Sequence, residues 1–278
     1  MASWRPRVWL ITGTSSGFGR RLVTAVLARG DRAIATTRSV EKIEDIPNSP
    51  NLGLLQLDIT SSPGTIKAIV DEAAKRWGTI DVLVNNAGAG PPGILEEGGI
   101  QKMIARYEVG VYGPLNVTNA VLPHMRKQRS GTVVIVGSRC AWRPEVRVRF
   151  YGSSKAAVQT MGETLAIELA PLNIRVLIVE PGSFRTEGIY ANPFDAMNAM
   201  VDVVRGEGAA AGREWPLYLV LGKDADIDIR NKCAKMIRHL DEWSDVVRGV
   251  DLDDAIRYVY RVGQVPTSAI ALVLECTL

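Results

Sequence analysis

Residues 11–21 read ITGTSSGFGRR and follow VWLIT (8–12), a short run rich in apolar and β-branched residues. Gly13, Gly17 and Gly19 are spaced G-x-x-x-G-x-G, and FGRRLVTAVLARG (18–30) continues with helical periodicity. Strand, glycine turn and helix N-terminus in this order let the backbone approach a pyrophosphate, whose charge then rests on the unpaired N–H groups of the first helical turn. A plain tight turn uses the same glycines, so the surrounding pattern has to decide.

That pattern repeats along the chain. Strand-like runs lie at RAIATT (32–37), LGLLQLD (52–58), IDVLVNN (80–86), TVVIVG (132–137), IRVLIVE (174–180) and PLYLVLG (216–222). Amphipathic segments such as TIKAIVDEAAKRWG (65–78) and SSKAAVQTMGETLAIELA (153–170) separate them. Strands apolar on both faces belong in a parallel sheet covered by helices from both sides. The expected fold is a single-domain, Rossmann-type doubly wound α/β sheet of about seven mostly parallel strands. With neither repeats nor a low-complexity linker, residues 1–278 read as one domain. In this context the glycine turn reads as a dinucleotide site.

A net charge of +3 is too small to argue for nucleic acid or an anionic membrane surface. Cys140, Cys233 and Cys276 are odd in number and far apart, and with two histidines they show neither a disulfide framework nor metal spacing. MASWRPRVWLITG leaves no room for a secretory leader, and TSAIALVLECTL (267–278) is too short to span a bilayer. A soluble, cytoplasmic protein is expected.

An NAD site places an acid near the end of the second strand, to hold the ribose hydroxyls. Here Thr37 stands there and Arg38 follows. A guanidinium can bind a 2′-phosphate through two parallel hydrogen bonds, whereas an acid repels it, so NADP(H) is the expected cofactor. Arg38 as a solvated loop residue is the alternative.

With these residues in hand, the chain resembles the classical short-chain dehydrogenases/reductases over about residues 7–190. TGTSSGFG is similar to their cofactor turn, Asp58 in LQLDIT to the aspartate near the adenine, and NNAG (85–88) to the motif beside the cofactor. Ser138, Tyr151 and Lys155 match the catalytic serine and Tyr-x-x-x-Lys pair, and EPGSFRT (180–186) the segment touching the nicotinamide. The resemblance implies that Gly13, Ser15, Ser16, Gly17, Phe18 and Gly19 hold the cofactor at the turn. Thr37, Arg38, Asp58 and Ile59 would flank its adenosine, and Asn86, Ala87 and Gly88 its middle. Tyr151, Lys155, Pro181, Gly182, Phe184 and Thr186 would surround the nicotinamide end.

It also implies the chemistry. Tyr151 protonates a developing alkoxide, Ser138 holds the carbonyl oxygen, and Lys155 tunes Tyr151 and binds the ribose. A free phenol titrates near ~10, so a neighbouring cation is needed to bring it toward the operating range. The expected activity is NADPH-dependent carbonyl reduction, or the reverse alcohol oxidation, on a hydrophobic ketone, aldehyde or secondary alcohol. A dehydratase, cyclase or isomerase on the same scaffold is the rival, and a silent NADP-binding protein a third reading.

Two regions depart from the family. Gly110, in EVGVYGP (108–114), stands where an asparagine normally completes the site, and the resemblance implies a water relay through that missing side chain. Asn116 and Asn119 are rotated roughly 120° and 180° from it on an ideal helix, so neither replaces it. MVDVVRGEGAAAGREWPLYLVLG (200–222) reads as too short for the helix that precedes the last strand in relatives, and the run after Asp254 has no counterpart. Residues 187–278 would cover the substrate and close the chain.

Between Ser138 and Tyr151 lie Arg139, Arg143, Arg147 and Arg149, which read either as a substrate-anion site or as a solvated or dimer-facing loop. Trp142 reads as a stacking surface or as a loop anchor. The resemblance implies a homodimer or homotetramer through helices at 99–126 and 151–169. Val158, Met161, Leu165 and Leu169 form an apolar stripe that faces either a partner or the sheet.

Overall fold

The computed structural model describes residues 5–88, 93–146, 148, 150–184 and 192–249. All seven strand-like runs form strands: β1 (Val8–Ile11), β2 (Arg32–Thr37), β3 (Leu52–Gln56), β4 (Val82–Asn85), β5 (Gly131–Val136), β6 (Ile174–Pro181) and β7 (Tyr218–Leu221). They make one sheet in the order β3-β2-β1-β4-β5-β6-β7, with every neighbouring pair parallel. Leu10 lies in register with Ile34 on one side and Leu83 on the other. Their side chains join one apolar layer, while Trp9 and Ile11 point to the opposite one.

Helices cover both faces, which is why the strands carry no polar alternation. On the face of Leu10 lie α2 (Pro63–Lys75), α4 (Gly113–Gln128) and α5 (Tyr151–Leu169), inserting Ile66, Val70, Val121, Met125 and Val158. On the face of Trp9, α1 (Gly17–Ala28) and α6 (Pro193–Arg205) insert Leu22, Val26, Met200 and Val204. Each such side chain contributes about 1.5–3 kcal/mol when fully withdrawn from water. A further helix, α3 (Gly99–Tyr107), precedes α4.

The helix before β7 is present in full, against the expectation from 200–222. It starts upstream, where Asn192 caps it by accepting from the Phe194 N–H at 3.0 Å and Pro193 fixes the first turn. Gly206, at φ 69°, ends it. Three of the four stripe residues on α5 face inward, Val158 and Leu169 buried in the core and Leu165 packed against it, while Met161 is half-buried and outside it.

Between α3 and α4 the chain makes a π-helical turn, Glu108–Tyr112, in which the Gly113 N–H donates five residues back to Glu108. Pro114 has no N–H to offer the Gly110 carbonyl, so a regular α-helical ladder cannot run through this point.

The chain divides into two compact units, Met1–Asp228 and Ile229–Leu278. The sheet and all the helices above belong to the first. Helix α7 (Lys223–Glu242) starts in it, and the described part of the second unit is the rest of α7 and the short α8 (Ser244–Arg248). Among the described residues no helix is long and apolar enough to cross a membrane.

Candidate active site

Parallel strands deliver all their C-terminal ends to one edge of the sheet, and the predicted site residues follow those ends. Gly13, Ser15 and Ser16 form the turn after β1, and Gly17, Phe18 and Gly19 open α1. Gly13 has φ 70°, and a Cβ there would lie 2.7 Å from the Ala87 Cα, so only glycine lets this turn close against the segment after β4. That closure is hydrogen-bonded. Asn86 Nδ2 donates to the Thr12 and Gly13 carbonyls at 2.8 and 3.1 Å, and the Asn86 and Ala87 N–H groups donate to Thr12 Oγ1 at 3.0 Å each. Gly88 follows, with Lys155 Nζ near it.

Thr37 is buried at the end of β2 and Arg38 is exposed beyond it. Asp58 accepts from the Thr60 N–H and hydroxyl at 2.9 and 2.8 Å, and buried Ile59 packs on the core. Pro181 ends β6, and the ring of Phe184 meets that of Phe18 edge-on with centroids 5.1 Å apart, joining the last cofactor segment to the first. Gly182 lies between them, its N–H donating to Leu221 of β7. Thr186, Arg147 and Arg149 lie outside the described residues.

The glycine turn at a helix N-terminus, closed onto Asn86 and Ala87 with no side chain intruding at Gly13, fits a dinucleotide pyrophosphate.

Ser138, Tyr151 and Lys155 converge where β5 ends and α5 starts. Ser138 is buried, its N–H donating to Glu180 and its Oγ accepting from the Cys140 N–H at 3.2 Å. Lys155 is only 6% exposed, and its Nζ donates to the Val136 carbonyl at 2.5 Å and lies 5.7 Å from the centre of the Tyr151 ring. Burial, and then the nearby Arg106, push this ammonium down to about 8. The Tyr151 phenol is raised, chiefly by burial; Ser138 and Arg106 pull it the other way. Arg106 thus adds a cationic pull on the phenol that the motif residues alone do not reveal.

Several participants were not foreseen. Arg106, near the end of α3, packs against Tyr151. Glu180 is wholly buried at the end of β6 and is pushed up to about 8, first by burial. Arg139 is neither a substrate anchor nor a solvated loop residue. Its guanidinium is buried and bonded to Asp228 at 2.6 Å, to the Ser183 hydroxyl at 2.8 Å and to Glu145. Arg143, more exposed, also pairs with Asp228 at 3.1 Å. Trp142 meets the Tyr218 ring edge-on at 5.9 Å and is half-buried, as a loop anchor would be.

Comparison with known proteins bears on this geometry. Residues 7–192 match the family model described as short chain dehydrogenase. The 3-ketodihydrosphingosine reductase of Bacteroides thetaiotaomicron is 34% identical over 182 residues, covering 66% of this chain and 65% of that protein, just under two thirds of its length. A short-chain dehydrogenase from Streptomyces avermitilis superposes with a TM-score of 0.82 at 33% identity, over 90% of this chain and 100% of that one. A short-chain dehydrogenase from Burkholderia cenocepacia, solved in complex with NADP, gives 0.71 at 27% identity, over 86% and 97%. The chain belongs to the short-chain dehydrogenase family, oxidoreductases that use nicotinamide cofactors.

Proposed function

We propose that this chain is an NADP(H)-dependent carbonyl reductase, or alcohol dehydrogenase in the reverse direction, acting on a hydrophobic ketone, aldehyde or secondary alcohol. The observation that carries this reading is the convergence of Ser138, Tyr151 and Lys155 at the end of β5, beside the glycine turn and the Asn86–Gly88 segment. The cofactor supplies or accepts hydride when bound. Tyr151 gives its phenolic proton to the substrate oxygen in reduction and takes it back in oxidation. Ser138 donates a hydrogen bond to the same oxygen, and Lys155 holds the ribose and keeps positive charge beside the phenol.

The absence of an acid at Thr37, with Arg38 exposed beyond it, supports the phosphorylated cofactor. A relative named 3-ketodihydrosphingosine reductase supports a ketone among the substrates. The test is a panel of apolar and polar carbonyls and alcohols, followed at the nicotinamide absorbance with each cofactor. Turnover with NADPH, fastest on apolar carbonyls and lost in Tyr151→Phe, is expected. Binding of NADPH without hydride transfer to any carbonyl, alongside a non-redox conversion, would overturn the reading.

A further inference from the structure

Arg106 lies in the interior with no carboxylate paired to it among the described residues, and it is only 8% exposed. A buried, unpaired guanidinium is costly and persists only where something nearby uses its charge. Its central carbon lies 4.9 Å from the centre of the Tyr151 ring, closer than Lys155 Nζ at 5.7 Å. Its Nε donates to Ser154 Oγ at 3.2 Å, and that hydroxyl in turn donates to the Tyr151 carbonyl at 2.8 Å. One side chain therefore bears on both the ring and the backbone of Tyr151.

Gly110 bears on this arrangement through Ser154. A Cβ at 110 would lie 3.0 Å from Ser154 Oγ, 3.1 Å from Ser154 Cβ and 3.4 Å from Arg106 Nη2. That Nη2 is itself buried without a hydrogen-bond partner among the described residues. A side chain at 110 would therefore press on Ser154, the residue that accepts from the Arg106 Nε, and would only touch the guanidinium at ordinary contact distance.

We propose that Arg106 is a positioning residue that fixes Tyr151 and supplies the standing positive charge favouring its phenolate, and that glycine at position 110 leaves Ser154 free to hold this guanidinium. The proposal rests on the reading of Tyr151 as the proton donor. The charged and titratable groups facing Tyr151 are Arg106 from α3, Lys155 from its own helix, Cys140 from the turn after β5 and Glu180 from β6, with the Ser138 hydroxyl between them. Burial raises both Cys140 and Glu180, the latter to about 8, so both are largely neutral at neutral pH. Lys155, pushed down to about 8, loses its proton in the alkaline range. Arg106 alone of these keeps its charge throughout, because a guanidinium does not deprotonate in a protein.

The test isolates one of the seven tyrosines. Near-ultraviolet titration of phenolate in the cofactor-free protein, with the Tyr151→Phe curve subtracted, gives the Tyr151 midpoint directly. An opposite charge at this range shifts a pKa by about 1–3 units. Arg106→Met should therefore raise the midpoint by about one unit or more, and Arg106→Lys should restore most of it. The acid limb of alcohol oxidation, which needs phenolate, should move to higher pH in step. Gly110→Ala, a milder change should Arg106→Met fail to fold, should move the midpoint the same way by displacing Ser154, the residue that holds the guanidinium. An unchanged midpoint in the variants that fold, with activity lowered equally at all pH, overturns the proposal. Full turnover in Tyr151→Phe would instead sink the reading of Tyr151, and leaves the titration result standing.

Discussion

The backbone N–H of Ser138 donates to Oε2 of Glu180 at 2.9 Å, tying the residue at the mouth of β5 to a carboxyl buried at the end of β6. The acid has a structural task, accepting from a backbone group that would otherwise be buried unpaired. Its burial has a thermodynamic consequence. In the fold the carboxyl holds its proton up to about 8, while the unfolded chain releases it near the ordinary carboxyl value. Between those limits the folded state binds more protons than the unfolded state, so stability falls as pH rises. Glu180→Gln keeps an acceptor for Ser138 and removes the titration. Urea midpoints from pH 5 to 8 should decline for the parent protein and stay flatter for the variant; parallel curves would refute the assignment.

Arg38 is expected to read the 2′-phosphate. Arg38→Ala should weaken NADPH by roughly 1.5–3 kcal/mol, on the order of ten- to a hundredfold in Kd, and barely affect NADH. Thr37→Asp should move preference toward NADH, since a carboxylate suits ribose hydroxyls and repels phosphate. Titrating both cofactors decides it, and equal affinities in the parent protein would remove the NADP assignment.

Arg139 and Asp228 form a buried pair across 89 positions of sequence. Removing one partner of such a pair strands the other in the interior, at a cost of about 3 kcal/mol or more. Arg139→Met should lower the unfolding free energy obtained from urea titration by that order, softened by the remaining Arg143 contact with Asp228. Arg139→Met combined with Asp228→Leu should recover much of the loss. No recovery would mean that the bonds to Glu145 and Ser183 carry the stabilisation instead.

Val158 and Leu169 of α5 are buried in the core, while other apolar residues of the two helical segments stand exposed. Ile167 on α5 is 65% exposed, and Ile100 and Ile104 on α3 are exposed as well. We propose that these exposed apolar residues on the two helical segments take part in a homodimer contact. Ile104→Asp with Ile167→Glu should convert a dimer to monomer in light scattering at micromolar concentration. A monomeric parent protein would end the proposal.

Strands and the glycine turn were legible because their signal is local: apolar runs of strand length, glycines at fixed offsets, helical periodicity after them. Helix α6 was misjudged because its signal, Asn192 followed by Pro193, begins before the stretch taken to represent it. Arg106 was invisible for a different reason. Nothing near it in sequence distinguishes it from a surface arginine, and its partner Ser154 is 48 positions away on another helix. The glycine at 110 was the readable half of that pair, and it showed an absence without showing what fills it. Arg139 likewise sat in a run of arginines whose composition suggests solvent, while its carboxylate comes from α7.

The order of the sheet also bears on how the protein is made. β1 pairs with β2 on one side and with β4 on the other, yet β2 and β3 are complete by Gln56 while β4 starts only at Val82. A nascent chain that has emerged through β3 therefore carries VWLI with one ladder edge unpaired and its apolar side chains waiting for cover. During that interval the same edge is open to a second nascent chain on a neighbouring ribosome. The intervening α2, capped by Ser62 accepting from the Thr65 N–H, can shield one face but cannot supply the missing ladder. The strand that leads into the glycine turn thus keeps an open ladder edge in the unfinished chain until β4 is made.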